Sequence, residues 1–275
     1  MTLRFHAREV ERVERRVLGA LRCVDATTGA PLEQTLRVEA PAGARIQRNR
    51  SGLLVIHEWL PLAHHAAAFA SPPGDVPVGS LALMLTVSDP LGHYLPRLVR
   101  VDLPRDASPA NADQPGSLFQ PLTVPMYPSA TGRVGSNWAC VSVSVFEPGS
   151  GDALGGVLLR VVAAGAVRAM GLSDWRGEAL VPVAGVPVTT WSTEPGDVIV
   201  TQIQAELQAV ADPASVTRTP QAVLQLGRAP AVLPLVDPVA IEAARAGLPQ
   251  ASVLVNLAAG RPQHVSLGVA LPDPP

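Results

Sequence analysis

Asp25-Ala26-Thr27-Thr28-Gly29-Ala30-Pro31-Leu32, then Leu36-Arg37-Val38, then Asn49-Arg50-Ser51-Gly52-Leu53-Leu54-Val55, is a passage whose pattern the chain sets down twice. Its second form reads Ser150-Gly151-Asp152-Ala153-Leu154, Leu159-Arg160-Val161 and Asp174-Trp175-Arg176-Gly177-Glu178-Ala179-Leu180. Order is kept, and the register drifts by only a few residues between blocks. A period this long marks a copied domain, since solenoid units recur every 20 to 50 residues or so. Within each copy, Asp or Asn can close a turn through its own side chain, and Gly can take the positive φ a tight reversal needs. Short apolar runs lie between these turns, which is the pattern of strands rather than helices.

Outward from the first copy, strands are expected at Val17–Val24, Leu36–Ala40, Leu53–Glu58, Leu81–Ser88 and Leu95–Leu103, with Asp89-Pro90-Leu91-Gly92 turning the last two into a hairpin. Trp59–Ala70 is apolar but irregular, and Ser71-Pro72-Pro73-Gly74-Asp75 reads as a loop. The Pro-, Ser- and Asn-rich stretch 104–117 reads as a linker. Pro121 and Pro125 make Leu118–Tyr127 an edge strand at best. In the second copy Trp138–Phe146 alternates, with Val141, Val143 and Val145 on one face and Ser142 and Ser144 on the other. Val157–Ala163, Val167–Met170, Ala179–Val183 and Val198–Val210 follow. In the last of these, Ala205, Leu207 and Ala209 oppose Gln204, Glu206 and Gln208. Residues 211–250 have no counterpart in the first copy. They contain a compact helix signal: Asp237 as N-cap, Pro238 at the first position and Gly247 past the end. Val253–Leu257 and His264–Leu271 close the chain.

The turns Asp25-Ala-Thr-Thr-Gly29-Ala-Pro31-Leu32 and Ser173-Asp174-Trp175-Arg176-Gly177 resemble those of carboxypeptidase-regulatory-like (transthyretin-like) domains. Asn49 departs from the pattern in the first copy; Glu147 and Ala153 depart from it in the second. The resemblance covers about 40 residues per copy and implies fold alone. The expected architecture is all-β: two tandem Ig-like or transthyretin-like β-sandwiches, with a short helix in an insertion of the second. Its parts are an arm at 1–14, a domain at 15–104, a linker and extended segment at 105–134, and a domain at 135–275 carrying the insertion 211–250. The arm is either a short solvated helix or a docking element for a neighbouring subunit. More loosely, the chain is similar to accessory proteins of phage-tail-like contractile injection systems. That likeness rests on Arg48-Asn49-Arg50-Ser51-Gly52-Leu53, Asp89-Pro90-Leu91-Gly92-His93-Tyr94-Leu95-Pro96 and Ser173–Leu180 followed by Pro187-Val188-Thr189-Thr190-Trp191. It implies a structural or adaptor subunit.

Charge and composition narrow the function classes. Net charge is −2 and only 16% of the 275 residues are charged, which argues against a nucleic-acid surface, where a concentrated basic face is the rule. Every basic residue is Arg, with no Lys; this reads either as codon bias in a GC-rich genome or as arginine-specific recognition. No leader sequence and no apolar run of about 18 residues is seen. The expectation is therefore a cytoplasmic protein without membrane contact, or one released within a particle by lysis.

Catalytic and metal chemistry find little support. Cys23 and Cys140 sit in apolar runs and read as buried thiols. His57-Glu58 and His64-His65 cluster in sequence, but zinc needs at least three convergent donors. No Gly-x-Ser-x-Gly elbow is present, paired carboxylates are scarce, and no Gly-rich phosphate loop leads from a strand into a helix. No catalytic, cofactor-binding or metal residue is expected, and the chain reads as a non-enzyme. Function is expected where the copies differ: Trp175 in mid-turn (an interface anchor or local packing), Trp59 before the irregular segment, and Leu233, Leu235 and Val236 in the insertion. The leading expectation is a structural or assembly subunit with protein partners, as a homo-oligomer or part of a larger assembly. The alternative is a binding module of adhesin or carbohydrate-recognition type.

Overall fold

A computed structural model describes residues 16–67, 76–186, 190–191, 198–199 and 202–272. The expected arm at 1–14 and the loop at 71–75 lie outside the described residues. The chain is all-β, with several sheets and a few short helices. Strands β1 (Gly19–Asp25), β2 (Arg37–Glu39), β3 (Ala44–Arg48), β4 (Leu54–Trp59), β5 (Leu81–Ser88), β6 (Arg97–Leu103) and β7 (Leu122–Met126) make two sheets, ordered β3-β4-β1-β7 and β2-β5-β6. The later strands are β8 (Ala139–Phe146), β9 (Ala153–Gly155), β10 (Leu158–Ala163), β11 (Ala166–Leu172), β12 (Glu178–Val183), the short pair β13 (Thr190–Trp191) and β14 (Val198–Ile199), β15 (Ile203–Val210), β16 (Thr217–Thr219), β17 (Gln250–Leu257) and β18 (Pro262–Gly268). One of their sheets is ordered β11-β10-β15-β17. In the other, β12-β8-β9-β16, β18 joins β8 in parallel. Helices are α1 (Ala63–Ala67), α2 (Gln221–Gln225) and α3 (Pro238–Ala244). By contact the chain divides into two compact units: Met1–Arg22, Ala40–Leu83 and Val101–Leu122 in the first, and Cys23–Glu39, Met84–Arg100 and Thr123–Pro275 in the second.

The repeated turns share their main-chain hydrogen bonds. At the first, Asp25 N donates to Ala30 O (2.9 Å) and Gly29 N to Asp25 O (2.8 Å); Glu147 N donates to Asp152 O (2.9 Å) and Gly151 N to Glu147 O (2.8 Å). The hydroxyls repeat as well: Thr28 Oγ1 donates to Asp25 and Ser150 Oγ to Glu147, both at 3.0 Å. At the second turn Asn49 Oδ1 accepts from the N–H groups of Ser51 and Leu53, and Asp174 Oδ1 accepts from those of Arg176 and Glu178. An amide and a carboxylate do the same work because only the acceptor oxygen is used. Glu147, one methylene longer than Asp25, turns its carboxylate to Arg218 (2.9 and 3.1 Å). That contact holds its pKa below the usual range.

Strand pairing repeats with one exchange. β4-β1-β7 of the first copy corresponds to β12-β8-β18 of the second, and β2-β5-β6 to β10-β15-β17. The third strand differs: β3 joins β4, whereas its counterpart β11 joins β10, the strand equivalent to β2. Pro125 lies in β7, an edge strand, where a missing N–H breaks no ladder. The stretch before it folds on Arg105, whose Nε donates to Ser117 O (2.9 Å) and whose Nη2 donates to the carbonyls of Pro115 and Gln120.

The alternation expected in β8 is present: Val141, Val143 and Val145 are buried, Ser142 is partly exposed and Ser144 exposed. They pack with Leu159 and Val161 of β10, Val181 of β12, Leu207 and Ala209 of β15, and Leu257 of β17 into one cluster. Burying each such side chain stabilises the fold by about 1.5 to 3 kcal/mol before entropy is counted. In place of one strand over Val198–Val210, the described residues show β14 and β15.

Gly177 has φ +72°, and an added Cβ would stand 2.3 Å from Val145 O; Gly52, with φ +78°, has nothing closer than Arg48 Nη2 at 3.6 Å. Gly52→Ala is therefore expected to cost about 1 kcal/mol from backbone strain alone. Gly177→Ala should cost at least ~3 kcal/mol, since strain and overpacking add. Urea unfolding of the two variants measures the difference, and equal losses would refute the steric reading.

Candidate interaction surface

Residues 211–250 are anchored at both ends and lie open in the middle. At the start, Asp212 closes a turn by accepting from Ala214 N (3.0 Å), and β16 pairs with β9. At the far end Asp237 caps α3 by accepting from Val239 N (3.0 Å), with Pro238 in the first turn as its missing N–H permits. Between them Pro234 and Val236 are seated on glycine. A Cβ at Gly155 would stand 2.7 Å from Pro234 Cγ, and one at Gly156 would stand 2.7 Å from Val236 Cγ1. Val236 O accepts from Leu98 N at 2.8 Å.

Beside this seat lies a buried cation. Arg97 is only 1% exposed. Its Nη1 donates to Pro125 O (2.8 Å), its Nη2 reaches Asp237 Oδ1 at 3.4 Å, and its guanidinium lies 5.9 Å from the centre of the Tyr127 ring. Burial lowers its pKa, opposed by Tyr127 and Asp237. Without these partners a buried guanidinium would be strongly destabilising. Tyr127 packs with Leu158, Leu172, Val210, Val236 and Ile241, the last from α3. Arg160 Nε lies 2.9 Å from Glu242 Oε2 and ties α3 to β10.

Of the residues expected to carry an interface, Trp175, Leu233 and Val236 converge on one small apolar cavity of about 50 Å³, completed by Leu95, Pro96, Leu172 and Pro234. Trp175 is half-buried, with Arg176 over its ring at 5.9 Å. Leu233 is 45% exposed and Val236 is buried, the anchor rather than the contact. Leu235 is half-buried and does not line the cavity. Trp59 is half-buried in β4 and belongs to the first compact unit. Sequence reasoning did not single out Leu226 and Val239, which are 77% and 63% exposed; Val232, within the apolar run 231–236 that it did mark, is 75% exposed. For Leu226 the available signal was Gly227 beside it, and for Val232 the flanking Pro230 and Pro234; Val239 lies in the first turn of α3.

A second, polar cavity of about 310 Å³ is lined by Asp25, Gln34, His93, Tyr94, Pro128 and Arg133. Tyr94 Oη donates to Asp25 Oδ2 at 2.8 Å, linking the first repeated turn to the turn of Asp89. Asp89 accepts from Leu91 N, His93 N and Tyr94 N. Burial, then the hydrogen bond to Asp25, then the charges of Asp25 and Asp89 push the Tyr94 phenol above its ordinary range. Both cysteines are buried free thiols. Among the described residues no three His, Cys, Asp or Glu side chains are grouped to hold a metal ion. No helix among them is long and apolar enough to cross a membrane. Compared with family models, curated proteins and solved structures, the chain matches none.

Tyr94 and Tyr127 are the chain's two tyrosines, and burial raises the pKa of both. A pKa raised in the folded state means the fold keeps its protons while the unfolded chain loses them. Stability is thus complete below the ordinary tyrosine value near 10 and falls as pH rises above it. An ultraviolet pH titration should show tyrosinate only as the protein unfolds, and Tyr94→Phe should lessen the alkaline loss. Tyrosinate forming at the ordinary value in the folded protein would contradict this.

Proposed function

We propose that this chain is a non-enzymatic structural or assembly subunit whose insertion, residues 211–250, is the contact surface for a protein partner. The observation that carries the reading is the run of exposed apolar side chains Leu226, Val232, Leu233 and Val239 on a segment held firmly at both ends. Exposed leucine and valine held on a pre-ordered frame lose little entropy on docking, and apolar surface grouped in this way is characteristic of interaction sites. Trp175, beside Leu233 at the apolar cavity, adds a rigid anchor of the kind that dominates interface energies. The sequence likeness to accessory proteins of phage-tail-like contractile particles makes sheath or tube proteins of such a particle the partners to test. A second reading, a binding module of carbohydrate-recognition type, is favoured by the polar cavity around Tyr94 and Arg133.

Purified chain mixed with sheath and tube proteins should co-elute with them at particle size. The double variant Leu226→Asp, Val232→Asp should weaken that association at least tenfold while leaving the melting temperature unchanged, because both side chains are about three-quarters exposed. A chain that ignores these proteins but binds glycans, and loses them on Arg133→Ala, would replace the first reading with the second.

A further inference from the structure

β6 and β17 are the same strand of the two repeats, each at the edge of its sheet, and they are finished differently. β6 carries Arg100 and Asp102 at exposed positions, and its Leu98 N–H is taken by Val236 O. Charges and covering main chain are the usual protection of a sheet edge. β17, Gln250-Ala-Ser-Val-Leu-Val-Asn-Leu257, has no charged residue and no proline. Leu254, the third of its four exposed residues, is 82% exposed, the most exposed large apolar side chain among the described residues.

The phase of the edge follows from two contacts. Ala211 N donates to Pro249 O, in register with the β15–β17 ladder, so the odd-numbered residues of β17 bond toward β15. Gln263 Nε2 donates to Asn256 O, which places the even-numbered carbonyls on the open side. The main-chain groups of Ser252 and Leu254 therefore face outward.

We infer that β17 is a pairing edge and that its occupant is β17 of a second copy of this chain, antiparallel about a two-fold axis at Leu254. This register sets Leu254 against its own copy on the outer face and Ser252 against Asn256, while Val253 meets Val255 on the inner face. A strand without charge places no like charges opposite each other when it pairs with itself, a condition that most edge strands fail. Glu206 is paired with Leu254 across the β15–β17 ladder. The two Glu206 residues would be three strand spacings apart, roughly 14 Å, beyond the screening length of about 8 Å in physiological salt. Gln263 would release Asn256 as the strands join. The inference is separate from the insertion surface, whose exposed apolar side chains lie between Leu226 and Val239 and serve an unlike partner.

Sedimentation of the full chain at micromolar concentration should show a dimer. Leu254→Lys should weaken it at least tenfold, while the monomer, measured at a concentration too low for dimer, keeps its melting temperature because the side chain is exposed. Leu254→Cys should form an interchain disulfide on mild oxidation, while Leu91→Cys, also exposed (68%) but in a turn, should not. Both native thiols are buried, which keeps the background low. A monomeric wild type, or a dimer indifferent to Leu254→Lys, overturns the inference. A dimer broken instead by Leu226→Asp, Val232→Asp would also overturn it, by moving self-association to the insertion. A Leu254→Cys thiol that is inert in a monomer would assign the edge to another segment of the same chain.

Discussion

A chain that reverses direction must find partners for the main-chain N–H groups that the turn removes from the ladder, and here one side-chain oxygen repeatedly does so. Asn49 and Asp174 each accept from the residues two and four places on, with glycine at the third place in the left-handed region. Asp89 follows the same plan, dividing the two bonds between its oxygens. Each bond is worth only about 1 kcal/mol net. Their larger effect is on register, since a one-residue slip in the turn would send every side chain of the following strand to the wrong face. In β12 residues 179–183 are buried on both faces, so Asp174 decides which face Leu180 and Val181 each fill.

Function, in the proposed reading, is placed where the copies diverge. The shared turns and strand pairs are accounted for by folding. What remains is the insertion, its glycine seat, the Arg97 group beneath it, and the unequal edges of β6 and β17. Arg97 shows how such a group is made affordable. Its charge is buried, but it is met by a carbonyl, a carboxylate that also caps a helix, and an aromatic face. Removing Asp237 would strip a partner from the cation and the cap from α3 together.

Much of this was legible in sequence because turns are local. The Asp25, Asn49 and Asp174 turns, the alternation of β8 and the Asp237-Pro238 start of α3 depend on residues within five positions of each other. Residues paired across long distances were not legible. Arg97 sits in a run that reads only as a strand, and its partners Pro125 and Asp237 lie far along the chain. Arg105 turns a stretch rich in linker residues into an ordered loop, and nothing in the composition shows where a guanidinium will find carbonyls. Trp138, at the start of the alternating run, is half-buried and lies against Gly135, because aromatic character does not say which side of a strand's end the ring will cover. Among the interface candidates, Leu235 and Val236 were separable from Leu233 only once the seat on Gly155 and Gly156 fixed which way the segment faces.

The exchange of the third strand bears on how such a chain reaches its fold. Two near-copies in one polypeptide are prone to trading equivalent strands during folding, giving compact but wrongly assembled species. β3 completes the sheet of β4, whereas β11 completes the sheet of β10. A strand taken from the wrong copy would leave one sheet short and lengthen another. The unequal placing of β3 and β11 therefore gives the two halves sheets of different widths, so a traded strand has no matching place to fill.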